Sequence, residues 1–534
     1  MRATFDIAVI GSGFAGSLIA MIARRLGRSV ILIERGQHPR FAIGESSTPL
    51  ANLMLDEIAR RYDLPRLLPL TKWGSWQRTY PEIACGLKRG FTFYHHKFGK
   101  PFDDDADRGN QLLVGASPHD EIADTHWYRP DFDHFLVREA QSIGVEYFDQ
   151  CRLNSLTWTN DSFVVEGARL GKDFSARVRL VIDASGPRGF LHRALALAEI
   201  PFPNLPPTQA VYSHFTNVRK FGDLGRDLAQ RAESVSIFST DFPPYPVDDA
   251  AMHHVFDGGW IWILRFNNGL TSAGVAATER LADELNLGEG MPGWKRLLAR
   301  LPSVQEQFAE ATAELPYIHM PRLSFRSRDI TGRGWALLPS AAGFVDPLLS
   351  TGFPLTLLGV TRLAEAIDKD WDTDRFEEQM NAYARQTVLE LAAAEKLVAA
   401  LYAAMNDFSI FVPLSLLYFA AASFSEAARR LGRAELARSF LLRDHSVFTS
   451  EFHACCAEAM RGFSSGSFTA AQKDSLITRI CRTIEPFDIA GLNDKKRRNW
   501  YPADAHDILA AAPKVGATEL EVEELLRRSG FFKP

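Results

Sequence analysis

The stretch at residues 5–34, FDIAVIGSGFAGSLIAMIARRLGRSVILIE, constrains the fold more than any other part of the chain. The apolar run at 7–10 has the length of a buried strand. Gly11, Ser12, Gly13, Phe14, Ala15 and Gly16 follow as a GxGxxG that opens a helix rich in Ala, Ile and Leu. A second apolar run at 30–33 ends at Glu34, an acid about 20 residues past the glycines. This is a βαβ unit built for a dinucleotide. Gly11 makes the tight turn, Gly13 lets a pyrophosphate approach the backbone, and Gly16 lets helix and strand pack closely. The helix start offers free N–H groups and a positive dipole to phosphates, and Glu34 is placed to hold a ribose hydroxyl. The alternative, an ordinary glycine turn, leaves the surrounding framework unexplained.

The chain has 534 residues, enough for two or more domains with substantial cores. A net charge of −5 gives no footprint for nucleic acid. Five cysteines without a CxxC spacing point to neither a disulfide framework nor a zinc site, so a reducing, cytoplasmic setting and no metal are expected. Asp6 and the glycines within the first apolar stretch argue against a signal peptide. A second apolar stretch, FSIFVPLSLLYFAAASF at 408–424, is slightly short for a membrane span and contains Pro413. It reads as a buried helix lining a pocket, with a membrane-surface contact as the alternative.

Further along, GESSTP at 44–49 precedes a helix-like segment to about residue 61, so a loop crosses near the cofactor there. The segment 85–94, CGLKRGFTFY, alternates like a strand from Phe91, with Lys88 just ahead. WYRPDFD at 127–133 leads into a helix. Strands are expected at 163–165 and 176–182, the second ending in a glycine turn, Asp183 to Gly186. Strand patterns between about 200 and 330, including 260–266 and 272–276, predict a second sheet over the first domain. The chain returns to the nucleotide fold with a strand at 335–338, followed by PSAAGFVDPLLSTG. The helix after Gly352 aims its N-terminus at whatever lies there, an anion-friendly geometry. From 375 onward the pattern is helical, and the charged run 495–498 reads as a solvated face. His95 and His96 are neighbours on a strand and point to opposite faces, which disfavours one shared metal ion.

These motifs together resemble the FAD-dependent halogenases within the flavoprotein monooxygenase superfamily. The resemblance spans most of residues 5–425 and rests on GSGFAG, GESSTP, the Lys88 strand, the WIWI segment and GFVDPLLSTG. CGLKRGFTFYHH, LLPSAAGFVDP and Asn406-Asp407-Phe408 look most like the phenol-type enzymes. Leu349 stands where tryptophan-type enzymes carry a Glu, which makes free tryptophan a poorer candidate substrate. The implied fold is α/β: a Rossmann-like FAD-binding domain over 1–370 with an inserted β-sheet substrate domain at about 200–330, then a C-terminal helical domain over 371–534.

The implied chemistry uses reduced FAD from a separate flavin reductase, O2 and a halide, chloride or bromide, to make hypohalous acid. A lysine beside the substrate hydrogen-bonds this acid or becomes a haloamine, then directs halogenation of an electron-rich ring, free or tethered to a carrier protein. By motif position that lysine is Lys88; read from spacing alone, it is a surface lysine at a strand start. An amine has a pKa of about 10.4 in water, and burial lowers it. The resemblance sets FAD against Gly11, Gly13, Phe14, Ala15, Gly16, Glu34, Arg35, Glu45, Ser46, Arg129, Asp183, Gly186, Asp346 and Gly352. It sets the halide at Ser350, Thr351 and Gly352. Trp260, Trp262 and Phe93 fall on the tunnel or substrate side, the two tryptophans sharing one strand face. Two segments depart from the family pattern: Leu264-Arg265 replaces Ile-Pro, and Pro339-Ser340 replaces Gly-Asp. A hydroxylating FAD monooxygenase, or a flavin-binding protein without halogenase activity, is the alternative reading.

Overall fold

The structure is a computed structural model describing residues 3–105, 107–159, 161–224 and 242–532. Two large sheets dominate it. In the first, Ala3–Ile10, Val30–Ile33, Lys172–Asp183 and Trp335–Leu337 run parallel. Glu146–Phe148 joins them in parallel at one edge, and Thr331–Gly332 closes the other in antiparallel pairing. These strands read as unbroken apolar runs because helices cover both faces of a parallel sheet. Ile10 pairs with Ile33 on one side and Asp183 on the other, and Asp183 pairs with Leu337. The strands therefore end level. The turns that follow them emerge together at the carboxyl edge, where open α/β sheets bind ligands. The helix Phe14–Arg25 starts at that edge, with Gly13 as its N-cap residue.

The second sheet is wider than the 200–330 segment. Its order is Thr312–Ala313, Thr208–Thr216, Thr271–Thr278, Gly259–Arg265, Ala251–Phe256, Gly90–His95, Gln111–Gly115 and Trp500–Tyr501. Strands from residues 90–115 and from near the C-terminus thus complete a sheet seeded by the central segment. Both of its faces are covered. Trp260, Trp262 and Leu264 belong to the main core, whereas Ile261 and Ile263 join a second core with Trp294 and Leu297. The period-2 alternation therefore separates two apolar environments, instead of core from water.

The region after 371 is mostly helical, with Arg375–Ala403, Phe408–Arg430, Ser446–Ser464 and Ala470–Ile484 as its longest helices. One core cluster runs from Ile7 through Leu397 and Phe411 to Leu526, so these helices share the core of the nucleotide fold. Among the described residues, Phe408–Arg430 alone is long and apolar enough to cross a membrane, and most of it is buried inside the protein. It packs inside the protein, as expected for a pocket-lining helix.

Candidate active site

A cleft of about 440 Å³ opens at the carboxyl edge, between the two sheets. Its wall begins at Gly13, Phe14 and Ala15, passes Arg35, Gly44, Glu45 and Ser46, and includes Arg129 and Gly186. It ends at Trp260, Trp262, Asp346 and the turn Ser350, Thr351 and Gly352. Most of the residues expected against the cofactor are thus brought to one cavity from segments far apart in the chain.

Gly11, Gly16, Glu34 and Asp183 act at one remove. Gly11 has φ +96°, and a Cβ there would lie 2.7 Å from the Ala184 carbonyl oxygen. A Cβ on Gly16 would lie 1.9 Å from the Gly11 carbonyl oxygen. Both glycines shape the turn and leave the wall to Gly13. The Glu34 carboxylate accepts from the Ser12 amide at 3.1 Å, the Gly36 amide at 2.9 Å and Arg40 at 3.0 Å. Burial pushes its pKa up, but the Arg40 charge and these donors outweigh burial and hold it below the usual range. Asp183 does not line the cleft. Its Oδ1 accepts from the Ser185 amide at 2.8 Å and its Oδ2 from the Leu191 amide at 2.7 Å. The side chain is spent on fixing the turn that carries Gly186.

Arg129 makes a bidentate pair with Asp133, at 2.8 and 2.7 Å. It also donates to the carbonyls of Ile43 and Gly44, at 3.2 and 2.8 Å. The guanidinium therefore ties the loop at 43–46 to the helix Arg129–Ser142. Glu45 sends Oε1 to His214 Nε2 at 2.9 Å. Among the described residues, Glu45 Oε2 and Arg40 Nε are buried without a hydrogen-bond partner, and both residues line the cleft. A Cβ at Gly186 or Gly352 would meet nothing within 4 Å. Unspent polar atoms and open backbone along an elongated wall fit FAD.

At the far end, Asp346 is fully buried and accepts three hydrogen bonds. Trp260 Nε1 donates to Oδ1 at 3.2 Å, the Leu348 amide to Oδ1 at 2.9 Å, and the Tyr402 hydroxyl to Oδ2 at 2.9 Å. Burial raises its pKa to about 7 despite these donors. Leu349 and Ser350 follow with φ of 63° and 55°. Consecutive left-handed non-glycine residues are costly and cluster at functional sites. The Ser350 amide is donated to the Pro347 carbonyl at 3.0 Å. The first N–H groups of the helix Gly352–Lys369, which follows, have no intrahelical acceptor.

Lys88 lies behind the cleft, fully buried at the end of the strand Cys85–Lys88. Its Nζ donates to Ser46 Oγ at 2.8 Å and to the Ser47 carbonyl at 2.5 Å. It also sits 3.8 Å from the centre of the Phe91 ring. Burial lowers its pKa to about 7, and the Asp124 carboxylate opposes that fall. The surface-lysine reading is thereby excluded. Beyond Phe91 lies a second cavity of about 170 Å³, lined by Thr48, Phe91, Tyr418, Phe419 and C-terminal residues including Leu526 and Phe531. Ser46 belongs to the wall of the cleft and Phe91 to that of the second cavity, so Lys88 stands between the two. Phe93 borders neither; it stacks on His253 with ring centroids 4.3 Å apart, and His253 lines the cleft.

Where the family motif has Ile-Pro, the strand simply continues. Leu264 lines the cleft, and Arg265 donates to the carbonyls of Val218 at 2.8 Å and Arg219 at 2.5 Å and pairs with Asp248 at 3.2 Å. Pro339 begins the short helix Pro339–Ala342, and both Pro339 and Ser340 line the cleft. His96 meets His254 at 2.8 Å in the second core while His95 stacks on Phe408, so the pair does point apart. Among the described residues no cluster fit for a metal occurs.

A family model described as FAD dependent oxidoreductase matches residues 6–240, and one described as tryptophan halogenase matches residues 125–408. The chain is 30% identical to monodechloroaminopyrrolnitrin halogenase PrnC of Pseudomonas fluorescens, over 76% of this chain and 69% of that protein. It is 28% identical to tetracycline 7-halogenase of Kitasatospora aureofaciens, over 70% of this chain and 66% of the relative. Its fold matches that of the halogenase PltM in complex with phloroglucinol and FAD, with a TM-score of 0.78 and 23% identity, covering 92% of this chain and 99% of the other.

Proposed function

This chain belongs to the tryptophan halogenase family of FAD-dependent enzymes, and we propose that it halogenates a phenol or another electron-rich aromatic, with Lys88 guiding the halogen. The observation that carries this reading is the placement of one buried amine between the flavin-side cleft and a second, mainly apolar cavity. Gly13 to Ala15, Arg35, Glu45, Ser46, Arg129 and Gly186 would hold FAD, and the start of the helix after Thr351 would hold the halide. When bound in its reduced form, supplied by a separate flavin reductase, the cofactor provides the two-electron activation of O2 that turns chloride or bromide into hypohalous acid.

The chain's own residues do the rest. Trp260 and Trp262 wall the flavin side, their ring centroids 5.8 Å apart, and keep the aromatic substrate away from it. Asp346 fixes both Trp260 and the turn that leads to the halide. Lys88, near half-protonation at neutral pH, can act in either form. As an ammonium it donates to the hypohalous oxygen and polarises the O–X bond. As an amine it forms an N–X bond while the O–X pair leaves with oxygen, which takes the amine proton and departs as water. The ring then takes the halogen and loses its proton.

A phenolic substrate is supported by the size of the second cavity, close to the roughly 150 Å³ that holds one benzene ring, and by the phloroglucinol bound in the PltM structure. The test is incubation with FAD, a flavin reductase, NADH, O2, bromide and a panel of phenols, read by mass spectrometry. A bromide-dependent product mass supports the reading. Hydroxylated products formed without regard to halide overturn it.

A further inference from the structure

The second cavity is mainly apolar, yet four charged side chains reach it: Lys72, Glu426, Arg430 and Asp504. Three are spent. Arg430 donates to Glu426 at 2.8 Å, and Asp504 caps a helix by accepting from the His506 amide at 2.8 Å. Lys72 differs. Its Nζ forms an ion pair with Asp124 Oδ1 at 3.6 Å, too long for a hydrogen bond, and it has no side-chain hydrogen bond among the described residues. Asp124 already accepts from Asn52 at 2.9 Å and stands opposite Lys88 in the ribbon register. The Lys72 backbone is the N-cap of Trp73–Thr79, with the neighbouring Trp73 amide bonded to the Ala123 carbonyl at 2.9 Å. A cation with unspent donors thus faces the cavity beside the carboxylate it shares with Lys88.

We propose that Lys72 is the substrate-anchoring residue, taking the acidic hydroxyl of the phenol as its phenolate and so presenting the ring to Lys88. This rests on the phenol-halogenating reading above. The ionised oxygen makes the ring a stronger nucleophile, and its lost proton goes to solvent. A ring carbon then bonds the halogen with its own electron pair, the O–X pair leaves with oxygen, and the resulting hydroxide takes the ring proton to give water. An amine in place of the hydroxyl activates the ring comparably but offers no anion, so Lys72 discriminates between the two.

The experiment compares kcat/KM for bromination of resorcinol and of 1,3-phenylenediamine, which match in size, in wild type, Lys72→Met and Lys72→Arg. Loss of one charge-assisted hydrogen bond lowers the resorcinol preference about tenfold or more in Lys72→Met, while Lys72→Arg keeps most of it. Any side effect on Lys88 falls on both substrates and cancels in the ratio. FAD binding by fluorescence verifies the fold, with Lys72→Gln as substitute if the methionine variant is unstable. A folded variant with an unchanged ratio overturns the anchoring role alone. A wild-type enzyme that brominates neither compound overturns the phenol reading and the anchor with it.

Discussion

Lys88 stands directly opposite Asp124 across the antiparallel ribbon formed by Cys85–Lys88 and Asp124–Trp127. Opposed side chains on such a ribbon share a face. Asp124 is the charged group that raises the affinity of Lys88 for its proton, against burial that pushes the pKa to about 7. His126 and His253 also face this amine, but burial holds both imidazoles neutral near pH 7. Lys72 lies 3.6 Å from Asp124, and the Asp124 charge also acts on Arg430.

The haloamine route needs the neutral amine, so the bromination rate rises with pH through about 7, the pKa of Lys88. Asp124→Asn removes the opposing charge and lowers that pKa further. The rising limb of the rate profile therefore moves to lower pH. Single-turnover bromination measured between pH 5 and 9 checks this, and a limb that stays in place or moves up contradicts the role given to Asp124.

Lys88→Ala removes the amine and leaves the Ser46 hydroxyl facing a void. Bromination of the aromatic falls at least about 100-fold, the usual scale for losing a group that acts on the reacting atoms. FAD affinity stays within a few-fold, because Lys88 borders the cleft only through Ser46. Hypobromite released to solvent, trapped with monochlorodimedone, persists. A variant that brominates at the wild-type rate shows that a different group guides the halogen.

The glycine-rich turn and the parallel strands were legible because a strand buried on both faces leaves a continuous apolar run, and because a Cβ has no room at Gly11 or Gly16. The motif singles out the position of Lys88, but its burial, which depends on the ribbon partner Asp124 and on Phe91, has no local signal. The partners of the acids were out of reach. Tyr402 meets Asp346, and His214 meets Glu45, only after distant segments pack, and neither carries a local signal. The inward turn of the Asp183 carboxylate on Ser185 and Leu191 likewise has no mark in the local sequence. The width of the second sheet is hidden for a related reason: the alternation from Phe91 marks Gly90–His95 as a strand but carries no signal of its partners, Ala251–Phe256 and Gln111–Gly115.

Asp346 is protonated in the fold up to about pH 7, whereas an unfolded aspartate titrates near 3.8. Between these values the native state binds more protons than the unfolded state, so stability falls as pH rises from about 4 to 7. Asp346→Asn keeps a carbonyl for Trp260 and Leu348 and has no proton to lose. It melts above wild type at pH 8, and the gap closes near pH 4. Melting curves across this range decide it; a wild type that stays ahead of the variant at pH 8 shows that the carboxylate is better accommodated than its surroundings imply.

Gly13 and Gly16 have the same side-chain chemistry and opposite reasons for being glycine. Gly13 has ordinary helix-start geometry, and the nearest atom to an added Cβ is the Arg129 side chain at 3.3 Å. The backbone therefore tolerates a side chain, but the cleft does not. Gly13→Val fills the space where the pyrophosphate approaches, so it folds near normally and weakens FAD binding about 100-fold or more, the loss expected when about 3 kcal/mol of contact is removed. Gly16→Ala instead drives a methyl to 1.9 Å from the Gly11 carbonyl oxygen, backbone that cannot swing aside. Helix and strand must separate, and the melting temperature drops whether or not FAD is present. Thermal melts with and without FAD, paired with flavin fluorescence titrations, separate the two effects. Loss of stability in Gly13→Val equal to that in Gly16→Ala would reduce the cradle to a packing constraint; unchanged FAD affinity in a folded Gly13→Val protein would remove the pyrophosphate from this turn.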